Sequence, residues 1–376
     1  MCIRDRVLRR LDSIVPGKTS KGGQCVMNDT LMMMSDGNIM NIENARDDMN
    51  IKSADFSEFS IIDSHVLDVY RTRKKDVFRI ITKYPRLEIE SSKDHFFFVI
   101  EEGEITEKPA DDLREGDTLL MPEKIDIRGS VQKLNHSFRN KKTLDKDTAQ
   151  ILGYFLGDGS YDRNRVVFSE GNRGLAVFYR NLIDRTFGSE CGFRFRDSKG
   201  YYEIKLYGKD IEEGFRKKFF ENKSSLTSVI PAIVLKSEDD VMSSFLKGLF
   251  DADGSVSLSS RRVSIGLNNK QLARQIQMSL LRFSIISSIL EYDNRKNEYT
   301  DNHRFTIEIS EKKSLKIFKK NIGFSSKQNI LKLDKLIKTK TDKSSTRQIL
   351  MPGSLVRRII ESHGYLKQDF YRASDF

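Results

Sequence analysis

The chain has 376 residues, enough for two or three domains, and a formal charge of +11. No apolar run reaches the roughly 20 residues of a membrane span, and the N-terminus lacks the charged-then-apolar order of a signal peptide. Three scattered cysteines, Cys2, Cys25 and Cys191, exclude a disulfide framework and a zinc site and fit a reducing, cytoplasmic setting.

The charge is uneven. Residues 1–24 carry +4, residues 25–125 carry −9 and residues 126–376 carry +16, so an acidic module precedes a basic one that faces a polyanion. Near the start, Pro16-Gly17-Lys18-Thr19 approaches a phosphate-binding loop, but Asp12 stands where that loop needs glycine. Ser20–Gln24 is small and polar and predicts an exposed approach to Cys25.

From Cys25 the texture becomes short strands and turns. Strands are predicted over Cys25–Asp36 with a turn at Asp36-Gly37, then over 64–70, 77–82 and 96–100. Lys108–Pro122 predicts a turn at Glu115-Gly116-Asp117 and a last apolar strand, Leu113–Met121. Cys25 supplies a thiol that can attack the preceding carbonyl, and His95 supplies a proton donor for the leaving nitrogen. Taken singly, Cys25 reads as a buried small hydrophobe and His95 as a hydrogen-bonded core residue. Asp126–Lys142 is polar and basic and reads as a linker.

Two nonapeptides then repeat in register: Ile151–Gly159 (I-L-G-Y-F-L-G-D-G) and Leu246–Gly254 (L-K-G-L-F-D-A-D-G). Gly153 and Gly157 in one copy, Gly248 and Ala252 in the other, put small residues four apart on one helical face, where two backbones can approach. Gly159 and Gly254 are placed to close the helices in left-handed caps. Asp158 and Asp253 then lie at helix C-termini and near one another, disfavoured by the macrodipole and by mutual repulsion. Bound divalent cations compensate such an arrangement.

Each copy is followed by matching material. Strands are predicted at 165–168, 193–196 and 201–207 after the first, and around Val256, Val263 and Phe305 after the second. Helices are predicted at 175–187, 211–220, 270–283 and 314–321. Alternation puts apolar residues on one face of these strands and Arg165, Arg194, Arg196, Lys205, Arg262 and Arg304 on the other. Such a sheet suits the major groove of DNA, although a solvated face has the same composition.

On the twin motif the chain resembles the two-repeat LAGLIDADG homing endonucleases. On Cys25, the Ser92-Lys93-Asp94-His95 block and the strand at 113–121, it resembles the N-terminal splicing region of inteins, with Ser92 in place of the more usual threonine. The resemblance spans about residues 25–350 and implies an α+β architecture: a partial all-β Hint domain, then two pseudo-symmetric αββαββα repeats forming a DNA-binding saddle. The implied segments are 1–24, a host-protein remnant; 25–125, the Hint region; 126–145, a linker; 146–340, the endonuclease, with repeats at about 146–235 and 236–340; and 341–376, a tail. The resemblance implies a monomer cutting both strands of a long, asymmetric DNA site, with Mg2+ held by Asp158 and Asp253. Lys312 and Lys313 are the implied lysines of the centre. Cys25, Ser92 and His95 carry the splicing chemistry.

Two departures stand out. Ile230-Pro231 is preceded by Ser228 where many relatives carry an active-site lysine, with Lys223 as a possible substitute. The tail has a predicted helix at 354–363 but no His-Asn ending, so the chain is read as truncated before the C-terminal splicing blocks. A catalytically inactive DNA-binding protein of the same fold, a regulator or a maturase-like partner, is the competing expectation.

Overall fold

The computed structural model describes residues 2–5, 25–71, 77–139, 141–293, 303–341 and 362. The segment 6–24 with its Pro16–Thr19 motif, and the tail with its helix at 354–363, lie outside the described residues apart from Ser362.

The acidic N-terminal region is built from strands and short turns. Strand β1 (Cys2–Asp5) pairs antiparallel with β5 (Ser60–Tyr70), which also pairs with β4 (Asn50–Asp55). Hairpins join β2 (Leu31–Met33) to β3 (Ile39–Asn41), β6 (Val77–Ile81) to β7 (Glu88–Ser92), and β8 (Phe96–Glu101) to β9 (Glu104–Pro109). The expected turns form: Gly37 and Gly116 take φ of 90° and 105°, values that glycine adopts without steric cost. The expected strand at 113–121 does not form. That stretch makes a single bridge, Val99 to Leu119, because Arg114-Glu115-Gly116-Asp117 closes on itself through Asp117 and interrupts it.

The stretch read as a linker is folded. Strands β10 (Lys133–Phe138) and β11 (Lys141–Thr143) pair, and Leu134, Phe138 and Leu144 are buried. Phe138 packs its ring against Phe187, Phe215 and Phe219. A few apolar residues spaced among lysines and asparagines bury one face of a hairpin without changing the composition of a linker.

Two repeats follow. The first runs α1 (Lys146–Asp158), β12 (Gly159–Tyr161), β13 (Arg165–Glu170), α2 (Arg173–Phe187), β14 (Gly192–Arg196), β15 (Tyr201–Tyr207) and α3 (Lys209–Lys218). After the short α4 (Ala232–Leu235), the second runs α5 (Asp239–Asp253), β16 (Gly254–Ser257), β17 (Arg262–Leu267), α6 (Lys270–Leu281), β18 (Ser288–Asp293), β19 (His303–Ile309) and α7 (Lys312–Asn321); α8 (Lys327–Thr339) succeeds it. The two four-stranded antiparallel sheets share one order, β12-β13-β15-β14 and β16-β17-β19-β18. Each repeat is therefore αββαββα.

Val166, Phe168, Ile204 and Leu206 in one sheet, and Val263, Ile265, Ile307 and Ile309 in the other, are buried against helices. Because strand side chains alternate, this registers the polar residues between them on the opposite face. Among the described residues, no helix is long and apolar enough to cross a membrane.

Helices α1 and α5 pack with their backbones in contact. A Cβ on Gly153 would fall 1.9 Å from the Phe245 carbonyl oxygen, and one on Gly248 would fall 1.9 Å from that of Gln150. The helix ends differ from expectation. Gly159 and Gly254 are extended (φ −91°, ψ 156° and φ −86°, ψ 151°), not left-handed. Each is required for space instead, since a Cβ there would meet the carbonyl oxygen of Phe155 or Phe250 at 2.5 and 2.4 Å.

Candidate metal centre and nucleic-acid interface

The interlocked helices deliver Asp158 and Asp253 to the same place. A Cβ on Gly157 would come within 2.5 Å of the Ala252 Cβ and 2.8 Å of Asp253 Oδ2. The small residues at 157 and 252 are thus what lets the two C-terminal ends meet. Burial, then the neighbouring Asp253 and Glu170 carboxylates, push Asp158 up from 3.8 to about 7. Burial also raises Asp253, against the opposing pull of Lys223 and Arg304.

Lys223 follows α3, and its Nζ donates to the carbonyl of Gly157 at 3.3 Å and to that of Gly159. It lies 5.2 Å from the Phe155 ring centroid. Burial lowers its pKa, opposed by Asp253 and Asp158. Of the expected lysines, Lys312 opens α7, and Lys313 Nζ donates to Glu123 Oε1 at 2.6 Å, tying the second repeat to the segment preceding the first. Ser228, where a lysine was expected, stabilises its own loop; its Oγ accepts from the Ser224 N–H and its carbonyl from Asn269 Nδ2.

Among the described residues, no three His, Cys, Asp or Glu side chains gather into a metal-holding group. The donor set is two carboxylates flanked by the carbonyls of Gly157 and Gly159. All are oxygens, and the two acids are partly desolvated; this suits a hard divalent cation that keeps waters and takes further oxygens from a phosphate. The residues fit Mg2+ on those terms.

A second polar cluster behind the centre was not legible in the motif. Asp251, buried between the repeats, accepts from Tyr179 Oη (2.7 Å), from Gln150 Nε2 (3.5 Å) and from the Ser325 backbone N–H (2.7 Å). Gln150 and Tyr179 belong to the first repeat, Asp251 and Ser325 to the second. The cluster fixes the rotation of α5 against α1 two residues before Asp253. Tyr154 Oη likewise donates to Glu170 at 2.6 Å.

The polar sheet faces carry the expected cations. Strand pairing sets Arg194 opposite Glu203 and Val167 opposite Lys205 in the first sheet, and Ser264 opposite Glu308 in the second. Arg165, Arg194, Arg196 and Lys205 therefore share one face, as do Arg262 and Arg304. Several are held by carboxylates: Arg196 makes two bonds to Glu203 (3.1 and 3.0 Å), Lys205 pairs with Glu203 at 2.9 Å, and Arg262 donates to Glu308 at 3.0 Å. Arg165 lies 5.9 Å from the Tyr207 ring centroid. Arg304 covers Gly266, and its charge reaches Asp253, so the second sheet adjoins the metal centre.

In the N-terminal region, Cys25 and Ser92 meet across a strand pair. The Cys25 N–H donates to Ser92 Oγ at 3.1 Å, and the Ser92 N–H donates to the Cys25 carbonyl at 2.8 Å. The His95 N–H donates to the Ser92 carbonyl, and its ring meets Phe97 edge-on. Burial drives the imidazole down to about 4, and Nδ1 has no hydrogen-bond partner among the described residues. His95 is therefore a neutral imidazole at physiological pH, so the proton donor expected there is not an imidazolium. Cys25 is disulfide-bonded, so its thiol becomes a nucleophile only after reduction.

Comparison with known proteins bears on the second repeat most directly. The chain is 23% identical to glutamine–fructose-6-phosphate aminotransferase of Methanocaldococcus jannaschii, over 84% of this chain and 36% of that protein. It is 28% identical to the replication factor C small subunit of the same organism, over 72% of this chain and 14% of that protein. The chain thus spans well under half the length of these curated relatives. The crystal structure of I-DmoI in complex with DNA and Mn matches at a TM-score of 0.35 and 22% identity, covering 48% of this chain and 97% of that one. Residues 240–323, the stretch from α5 through α7, match the family model of LAGLIDADG-like domains.

Proposed function

We propose that the chain is a metal-dependent, site-specific DNA endonuclease carried within a protein-splicing element. The observation that carries this reading is the meeting of Asp158 and Asp253 at the ends of two backbone-contacting helices, beside sheets with basic faces. Nothing in the packing of α1 on α5 requires two carboxylates there. Both are destabilised by burial, so their presence calls for a ligand.

A divalent ion bound there supplies Lewis acidity that offsets charge on the phosphodiester being cleaved. Asp158 and Asp253 hold it, and the sheet cations bind flanking phosphates and bases. Both repeats lie in one chain, so a monomer contacts the two halves of its site, and their differing side chains favour an asymmetric one.

The relatives support the second half of the proposal. An aminotransferase and a replication factor have unrelated activities, yet each matches this chain over 36% or less of its length. A segment shared by two proteins of such different names fits an inserted element that removes itself. Cys25 is its nucleophile: the Sγ–C bond to the Gln24 carbonyl forms, the Gln24–Cys25 C–N bond breaks, and the proton passes to the Cys25 amine. Such an element works intracellularly, where the thiol is reduced.

Exposing the purified chain to a randomised duplex pool with Mg2+, then sequencing the cut ends, tests the nuclease reading. A single long sequence cut on both strands is the expected result. Recovery of one bound sequence that is never cut gives the alternative, a DNA-binding protein of this fold, which the Ser228 departure favours.

A further inference from the structure

The carboxylate pair already has a cation beside it. Lys223 Nζ bonds the carbonyls on either side of Asp158, those of Gly157 and Gly159. Its charge acts on both Asp158 and Asp253. The ammonium itself sits over the Phe155 ring, 5.2 Å from its centroid. An ammonium so placed takes the two carbonyl oxygens beside the carboxylates that a hard divalent ion held by Asp158 and Asp253 would also use. Both cannot occupy that point.

The placement is peculiar to one repeat. Phe220 packs on Phe155 and Phe324 on Phe250, closing the two repeats alike. Three residues on from Phe220 stands Lys223, turned in to the carbonyls that flank Asp158. Three residues on from Phe324 stands Lys327, the exposed first residue of α8. The fold therefore does not demand a buried lysine here.

We propose that the Lys223 ammonium is the resident counter-ion of Asp158 and Asp253 in the metal-free protein, and that a divalent ion enters by displacing it. The inference rests on the metal-dependent reading above. A centre closed by its own lysine about nine-tenths of the time binds metal about tenfold more weakly than the same centre left open.

The test uses the full chain and Ca2+ without DNA. Calorimetric titration of wild type and Lys223→Met compares affinities, methionine keeping an unbranched apolar side chain without the charge. The expected result is about tenfold tighter binding in Lys223→Met, with Lys223→Gln changing in the same direction. Simple repulsion would also favour the variants, so a second readout follows the side chain itself. Acylation of wild type by an amine-reactive ester, read by peptide mass spectrometry with and without Ca2+, should show Lys223 protected alone and several-fold more reactive with Ca2+, Lys327 being unchanged. Lys223 remaining protected while calorimetry shows bound Ca2+ overturns the proposal, as does equal affinity in folded variants. If neither wild type nor variant takes up Ca2+, the metal-dependent reading itself falls.

Discussion

Replacing Asp158 by asparagine should stabilise the metal-free protein, in a way that depends on pH. Asp158 titrates near 7 in the folded chain against an ordinary 3.8, with burial the largest cause and Asp253 and Glu170 next. A carboxyl whose folded pKa is raised stays protonated in the folded state after the unfolded chain has lost its proton. Its contribution to stability is intact below the unfolded pKa and is lost as pH rises through the folded one. The shift of about three units corresponds to at most about 4 kcal/mol at pH 8. Lys223 and Arg304 then act on Asp253 alone in the variant, so a gain of about 2 kcal/mol is the working expectation. That is roughly 4–8 °C in Tm for a cooperative unit of this size. Thermal melts in chelator at pH 8 and pH 5 read it. Asp158→Asn should melt higher at pH 8, and the gap should shrink to less than half at pH 5. A variant no more stable than wild type at pH 8, or a gap equal at both pH values, would refute the claim that this carboxylate is held at an energetic cost.

Three further outcomes are expected. Gly153→Ala forces α1 off the Phe245 carbonyl and should cost about 3 kcal/mol or more in denaturant unfolding, with DNA binding lost in parallel. Arg196→Gln and Arg262→Gln should each weaken binding to duplex DNA and lower the slope of log affinity against log salt by about one, measured by fluorescence anisotropy. With reductant and added thiol, intact-mass spectrometry should detect slow release of a fragment ending at Gln24, absent in Cys25→Ala and faster when a C-terminal splicing fragment is supplied.

What the sequence made legible follows from strong periodicity. The twin nonapeptides predicted a close helix pair because glycines four apart have few other uses in apolar helices, and both Cβ approaches prove impossible. Strand alternation at 201–207 predicted a two-faced sheet, since one slip would turn Glu203 and Lys205 toward the helices and away from Arg196. Long-range contacts were not legible. The Phe138 hairpin depends on Phe187, Phe215 and Phe219, which come together only after α2 and α3 pack. Lys223 has no periodic signal; only the fold brings it 65 positions back along the chain to Asp158. The neutral state of His95 likewise comes from burial, which its neighbours in sequence do not reveal. The extended glycines at 159 and 254 show a right residue for a different reason: space beside the preceding turn, not a positive φ.

Joint action of Asp158 and Asp253 in cleaving DNA is tested by comparing wild type with Asp253→Asn on one selected duplex, with binding measured in Ca2+ and cleavage in Mg2+. Binding should change little while cleavage falls by on the order of a thousandfold or more, in keeping with loss of a metal's charge stabilisation. Cleavage by Asp253→Asn at the wild-type rate would contradict that joint action.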